Sequence, residues 1–535
     1  MARFTPASFV TDVVSGFSRT IANETAESIQ GSPMTEAVPV SFVRSRWLFL
    51  RLLGAVYLIA FASLAVQITG LVGEQGILPA REFLGRVHEV YGSGAYRLLP
   101  TLVWLSPSDG FLLMLCWSGV VTSLLLIAGV VPIASSALLW LLYLSLTIAG
   151  QEFLRFQWDA LLLETGLLAI LYAPLSLRSR LAVDPEPPSM VRWVIWGLAF
   201  KLTFLSGITK ILSGDPAWAA WTALSFHYET QPIPAWTSWF VQQLPISIHY
   251  WSAAAMFVIE VGVPWLIFVP ARFRHVRLVA CALMICLQAG IAATGNYGFF
   301  NLLTIVIYVA LLDDRTLERP LPWGTEPAEP PADGPAASAW RTTANVIALG
   351  VAVLSVLTLL REMDATRGRR MIAGEWAERT LDWIAPFNSV NGYGLFRVMT
   401  TERPEIVIEV SENGQTWKEY EFRWKAGDVK RRPRFVEPHM PRLDWQMWFA
   451  ALDPGSAQNW LSRLLTRLLD GNAAVMSLLG PNPLARPPRY ARLVYYRYHF
   501  TSSAERAKTG AWWKRESLGY LTGTIESRSS PANQE

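Results

Sequence analysis

Nine apolar stretches punctuate the first 360 residues, at 47–67, 111–131, 133–149, 160–177, 191–212, 251–269, 278–293, 299–312 and 343–360. A helix needs roughly 20 such residues to cross the hydrocarbon of a bilayer. In lipid every backbone polar group must be satisfied within the chain, so helices are the default solution for such runs. These stretches therefore define an α-helical polytopic membrane protein of about nine spans. The segment 299–312 is the short one, and a half-helix or re-entrant segment is its alternative. Composition agrees. Mean hydropathy is +0.28, and 16% of residues are charged, against about 25% in soluble domains. The 24 Trp suit interfacial belts, where amphipathic rings settle.

The formal net charge is only +4. Its basic residues lie mostly in short loops and the tail, which reads as topology and membrane-lipid contact; no basic groove pattern points to nucleic acid. Basic residues near span ends mark the cytoplasmic side. Arg44 and Arg46 place the N-terminus there, as do Arg178, Arg180 and Arg192 in one loop and Arg272, Arg274 and Arg277 in another. From Ser213 to Tyr250 there is no Lys or Arg, so that loop belongs outside. Residues 1–43 are polar and mixed, without the basic region, apolar core and cleavage site of a secretory signal, and are expected to be a disordered cytoplasmic arm. The bundle then occupies 44–361. Arg361, Arg367, Arg369 and Arg370 follow the last span, but long domains translocate largely regardless of charge, so the tail is expected outside.

From about residue 362 to 535 the character changes to that of a soluble, extracytoplasmic α+β domain. The run PEIVIEVSENGQTWKEYEF alternates with period two around Asn413-Gly414, a hairpin signal. ARLVYYRYHFT is a further strand, giving a small antiparallel β-sheet. Between them Leu461, Leu464, Leu465, Leu468 and Leu469 keep helical spacing. Cys116, Cys281 and Cys286 all lie in apolar spans, leaving the tail with no disulfide and no thiolate metal site.

Polar groups inside the spans are the candidate chemistry, because ionisable residues in hydrocarbon are costly and face a bundle interior or a counter-charge. Asp159 and Glu164 sit near the outer end of one span, Lys201 and Lys210 in the next, and Glu260 in the sixth. The lysines are nine residues apart, about 180° around a helix of 3.6 residues per turn, so one site does not readily use both. Glu164 or Glu260 paired with a lysine would pin helix packing. The other reading is a polar cavity lined by these five residues with His227 and Glu229 of the outer loop, in which a desolvated lysine could act as a base. The two histidines His227 and His249 lack a compact ligand spacing. No P-loop, dinucleotide fingerprint or HExxH is present. No metal, cofactor or catalytic residue is assigned. In the tail, aromatics expected to be exposed around Trp445, Trp448 and Trp512, flanked by Arg442 and Lys514, are candidate client contacts.

Six segments in series carry a resemblance: RFQWDALLLETGLLAI (155–170), SGDPAWAAWTALSFHYETQPIP (213–234), TGNYGFFNLLTIV (294–306), RRPRFVEPHMPRLDWQMWFAAL (431–452), PPRYARLVYYRYHFT (487–501) and GAWWKRE (510–516). Together they resemble the lipase maturation factor family, itself distantly similar to vitamin K-dependent carboxylase-like membrane proteins. The resemblance implies a polytopic membrane protein with a lumenal C-terminal domain. Its implied role is chaperone-like, helping secreted lipases to their folded, assembled state. It carries no catalytic residue across. The alternative is a membrane enzyme or lipid-handling protein acting through the polar cavity. The chain departs from the family in lacking a KDEL-type ending, which a membrane protein need not have; its Ala/Arg/Pro-rich composition suits a bacterial cytoplasmic membrane, and in a eukaryote the endoplasmic reticulum membrane would replace it.

Overall fold

The computed structural model describes residues 40–181, 183–318, 334–369 and 374–527. The expected arm through residue 39, the Pro-rich linker 319–333, Arg370 and the last eight residues lie outside the described residues. The arm expected through 43 ends earlier. Asp314 accepts from Ser41 Oγ at 2.7 Å and from the backbone N–H of Val43 and Arg44 at 3.0 and 2.9 Å. A carboxylate on the orphan donors of a first turn suits the helix dipole, and helix α1 starts at Val43.

Among the described residues, seven helices are long and apolar enough to cross a membrane. They are α1 (Val43–Ala65), α2 (Asp109–Ile127), α3 (Pro132–Ala149), α5 (Ser189–Leu212), α6 with its continuation (Ile246–Phe268), α7 with its lead-in (Ala271–Thr294) and α9 (Pro335–Thr366). Of the nine expected stretches, these seven reach spanning length. The other two stretches are helical but short: α4 (Gln157–Tyr172, 16 residues) and α8 (Phe300–Val309, 10 residues). At 1.5 Å per residue they reach about 24 and 15 Å, less than the ~30 Å of hydrocarbon. Pro174 explains the first stop, since it drives Ala173 to an extended ψ of 144°. Both are largely buried and so need not match the lipid thickness.

Successive helices alternate in direction. One face gathers the end of α1, the starts of α4 and α8 and the end of α9, each bonded to C-terminal residues. The opposite face gathers the start of α1 with Asp314, Val130 with Arg178, and Arg277 with Asp313. Within α6 the α-helical ladder widens into a π segment at Val258–Gly262 and tightens to a 3-10 segment at Val263–Phe268. Pro264 offers no N–H to the ladder, which accounts for the irregularity.

The C-terminal residues build an antiparallel sheet in the order β2-β1-β3-β4, with β5 also on β3. The strands are β1 (Arg403–Ser411), β2 (Lys418–Tyr420), β3 (Tyr490–Phe500), β4 (Trp513–Tyr520) and β5 (Ile525–Glu526). The hairpin forms where expected, with Val410 opposite Lys418 and Gly414 at φ 74°, a conformation glycine adopts freely. Ile406, Ile408 and Leu493 are buried on the sheet face that meets helix α10 (Arg442–Leu452), where Tyr495 Oη donates to Ala451 O at 2.6 Å. Helix α11 (Pro454–Leu469) buries the five predicted leucines, and all three cysteines are free. From Ser41 onward bundle and sheet form one unit.

Candidate functional site

The candidate charged groups of the bundle have close partners. Several of these partners come from the C-terminal residues, across a seam between the two parts. One of these contacts is two-pronged and almost fully buried. Arg442, first residue of α10, places its Nη1 2.5 Å from Asp159 Oδ2 and its Nη2 2.7 Å from Oδ1. Tyr143 of α3 donates to the same Oδ1 at 2.5 Å. Arg442 is held in turn by Gln67, whose Oε1 accepts its backbone N–H at 2.9 Å while its Nε2 donates to Met440 O at 2.9 Å. A planar fork with five donors suits a carboxylate held two-handed.

One turn further into α4, Glu164 accepts from Lys201 Nζ at 2.5 Å on one oxygen. Its other oxygen accepts from Tyr393 Oη at 2.7 Å and the Asn391 N–H at 3.0 Å. Both ion-pair members are nearly sealed, at 2% and 1% side-chain exposure. Lys210 chooses a different partner, Glu260 Oε2 at 2.8 Å, and also donates to Ser206 O at 2.9 Å. The opposite faces expected from the nine-residue spacing are thus realised, and the packing role of Glu164 and Glu260 is the one the geometry displays. Glu260 reaches Lys210 from the π segment, opposite Gly207, where a Cβ would come within 2.7 Å of Glu260 Cβ.

The outer loop joins the sheet in the same manner. Glu229 accepts from the Phe500 N–H at 2.8 Å and faces His499 Nδ1 at 2.8 Å. Arg403 of β1 donates to the carbonyls of Glu229, Gln231 and Pro232, and Glu405 lies 2.7 Å from both Arg403 and Lys425. His227 meets Tyr297 Oη at 3.2 Å, and burial first, then Lys210, lowers its pKa to about 4. Glu437 accepts the Tyr297 N–H at 2.5 Å, and burial pushes its carboxyl up to about 7. His249 is buried with its ring 5.7 Å from that of Tyr228. Among the described residues no three His, Cys, Asp or Glu side chains are placed to share a metal ion.

The expected client contacts are corrected here. Arg442, Trp445, Trp448 and Trp512 are buried rather than exposed, at 1%, 3%, 6% and 7%. Their rings pack inward: Trp445 against Trp158 at 4.7 Å and Trp512 against Trp239 at 5.6 Å, while Trp448 Nε1 donates to Thr230 O. Only Lys514 is exposed, 3.1 Å from Glu505. Reading the sequence also missed Tyr143, Tyr393, Asn391, Arg403, Glu405, Lys425 and Glu437. An Arg and a Glu two apart on β1 share one sheet face. That spacing would have tied Arg403 to Glu405, but nothing in the sequence says the face is covered.

The lipase maturation factor transmembrane domain matches residues 44–319, and the lipase maturation factor C-terminal domain matches residues 389–522. The chain belongs to the lipase maturation factor family. Lipase maturation factor 2 of Gallus gallus is 36% identical over 90% of this chain and 81% of its own length. The human protein of that name is 35% identical over 88% of this chain and 81% of its own. Lipase maturation factor 1 of Bos taurus is 34% identical over 90% and 88%. No solved structure matches the chain. The family's two domains fall on either side of α9, and the seam is drawn between them. Asp159, Glu164 and Glu229 belong to the first domain; Arg442, Tyr393 and His499 belong to the second.

Proposed function

We propose that this chain is a multi-pass membrane maturation factor that assists the folding or assembly of secreted client proteins, lipases among them. The observation that carries the reading is the family match on both sides of a buried ionic seam. Two matched domains are locked together by charges that neither could bury alone. What the bundle supplies is a rigid mount. What the C-terminal residues supply is a surface held at a fixed height above the membrane, which a partly folded client can meet.

Charge supports one orientation over the other. Arg44, Arg178, Arg192 and Arg277 gather at the face opposite the sheet, so the positive-inside rule favours that face in the cytoplasm and the sheet outside. The alternating helices support nine traversals, two of them by short helices wrapped in protein. For client contact the outer edge of β4 is the best remaining surface. It is the terminal strand of the sheet and carries exposed Lys514, Leu518 and Tyr520. An unpaired strand edge offers backbone donors and acceptors to an extended chain.

The test is the specific activity of a secreted lipase, per amount of lipase protein, in cells lacking this chain and in cells complemented with it. Complementation should restore activity without changing lipase synthesis. Unchanged lipase activity in its absence would sink the reading. Removing the C-terminal residues is a poorer test, because it strands Asp159 and Glu164 in the bundle.

A further inference from the structure

A cleft opens where the C-terminal residues meet the outer loop, lined by Arg423, Trp424, Arg431, Arg432, Arg434 and Trp513 with Pro234 on the loop side. Its charge is unbalanced. Arg431 is matched by Glu421 at 2.9 Å, but Arg423 donates only to a carbonyl, Leu479 O, at 2.6 Å. Arg432 and Arg434 are exposed, and their guanidinium groups have no hydrogen bond or ion pair among the described residues. Three exposed arginines without a carboxylate partner among the described residues thus border one opening and give it a positive field that attracts anions.

The rim of this cleft says where the anion comes from. Phe435, next to Arg434, lies edge-on to Trp236 at 6.0 Å, and Trp236 to Phe240 at 5.9 Å. All three rings are exposed. The helix that carries the last two (Trp236–Gln242) is bonded to the end of α7, through Thr237 to Ala293 O and Ser238 to Thr294 O. Immediately after it Ile246, Ile248 and Trp251 are exposed at the start of α6, a helix long and apolar enough to cross a membrane. The rings therefore sit at the hydrocarbon boundary, where aromatic side chains settle at headgroup depth. Guanidinium groups beside them reach the layer of lipid phosphates.

We infer that the exposed arginines at the mouth of the cleft form a phosphate site, and that its phosphate belongs to a phospholipid headgroup of the adjoining leaflet. Arg is the residue suited to this, since its planar fork bonds two phosphate oxygens at once. Binding there would fix the C-terminal residues against the membrane surface independently of the ionic seam, and it stands whether or not lipases are the clients.

The experiment uses the full chain purified in neutral detergent and titrated calorimetrically with a short-chain phosphatidylglycerol, with inorganic phosphate, and with a polyglutamate peptide. Saturable lipid binding is expected, weakening as salt is raised. The double variant Arg432→Gln/Arg434→Gln should bind roughly 30-fold more weakly, by the usual worth of two basic residues at an anionic surface. Arg432→Lys/Arg434→Lys keeps the charge but loses the two-pronged bonding, and should bind between the wild type and the Gln variant. Both positions are exposed, so the variants should elute and melt like the wild type. Equal affinity for inorganic phosphate keeps the site and assigns its phosphate to solution. The proposal is overturned if neither phosphate compound saturates, if the Gln double variant binds like wild type, or if polyglutamate is preferred.

Discussion

Arg442 and Asp159, 283 residues apart in the chain, grip each other through two hydrogen bonds of 2.5 and 2.7 Å at 1% side-chain exposure each. A pair this deep returns little net stability, because desolvating two charges offsets much of their attraction. Breaking it is another matter. Arg442→Met leaves a buried carboxylate with only Tyr143 to solvate it, and should cost about 3–5 kcal/mol. The double variant Asp159→Leu/Arg442→Met should recover most of that loss. Thermal unfolding of the two variants beside wild type measures the difference. A double variant as damaged as the single one would show that the pair does not act as a unit.

Glu164 is satisfied from both domains, so its partners can be ranked by variant. Tyr393→Phe removes one hydrogen bond to a charged group, and about 1.5–3 kcal/mol is the ordinary scale. Lys201→Met removes the counter-charge and should cost more than Tyr393→Phe. The order of the two midpoints in chemical denaturation decides the matter; the reverse order would make the phenol, and with it the C-terminal domain, the main support of Glu164.

Much of this architecture was legible in the sequence, and the reasons for the rest are physical. Helix positions followed from hydropathy, because a buried helix and a spanning helix are written in the same apolar alphabet. For that same reason the spans could not be counted: α4 and α8 are apolar since protein surrounds them, and apolarity does not say whether the neighbour is lipid or side chain. The leucine spacing of α11 and the turn at Asn413-Gly414 were local signals and were read correctly. Trp445, Trp448 and Trp512 were not, since a tryptophan in a soluble-looking stretch is equally suited to a sticky surface and to a domain junction. Lys201 and Lys210 announced that counter-charges existed. Glu260 and Glu164 were within reach of inference, whereas Tyr393 and Arg442, hundreds of residues away, were not.

Acidification should act on the junction through groups outside the spans, with opposed signs. Burial, with added charge from Lys210 or Arg442, lowers His227 and His439 to about 4. Each stabilises the folded state fully above the unfolded value of about 6.5 and loses that contribution as pH falls toward 4. Glu437 is raised to about 7 by burial. Its contribution is fully present below the unfolded value of about 4.5 and is lost as pH rises through 7. His227 and His439 should make unfolding midpoints fall between pH 6.5 and 4, against the opposite pull of Glu437 and of Asp444, whose carboxyl burial also raises. Glu437→Gln should make that fall steeper and His439→Gln should flatten it. A midpoint that climbs throughout this window in the wild type would refute the assignment.

The contact between α5 and the π segment of α6 is the closest test of how Lys210 finds its partner. At Gly207 a side chain would begin 2.7 Å from both Glu260 Cβ and Val261 Cγ2, tighter than packed carbons tolerate. Small residues are what let membrane helices approach so closely. Gly207→Val should therefore push the π segment away and lengthen the Lys210–Glu260 contact, leaving two buried charges poorly paired. Gly197 on the same helix has nothing within 4 Å of its built Cβ, so Gly197→Val is the matched control with no such clash. Expected is a large loss of thermal stability for Gly207→Val, about 3 kcal/mol or more by analogy with a broken buried pair, and little change for Gly197→Val. If Lys210→Met/Glu260→Gln is introduced beside Gly207→Val, the added loss should be small, because the pair is already broken. Strictly additive losses would mean that the glycine serves helix packing alone and does nothing to hold the ion pair together.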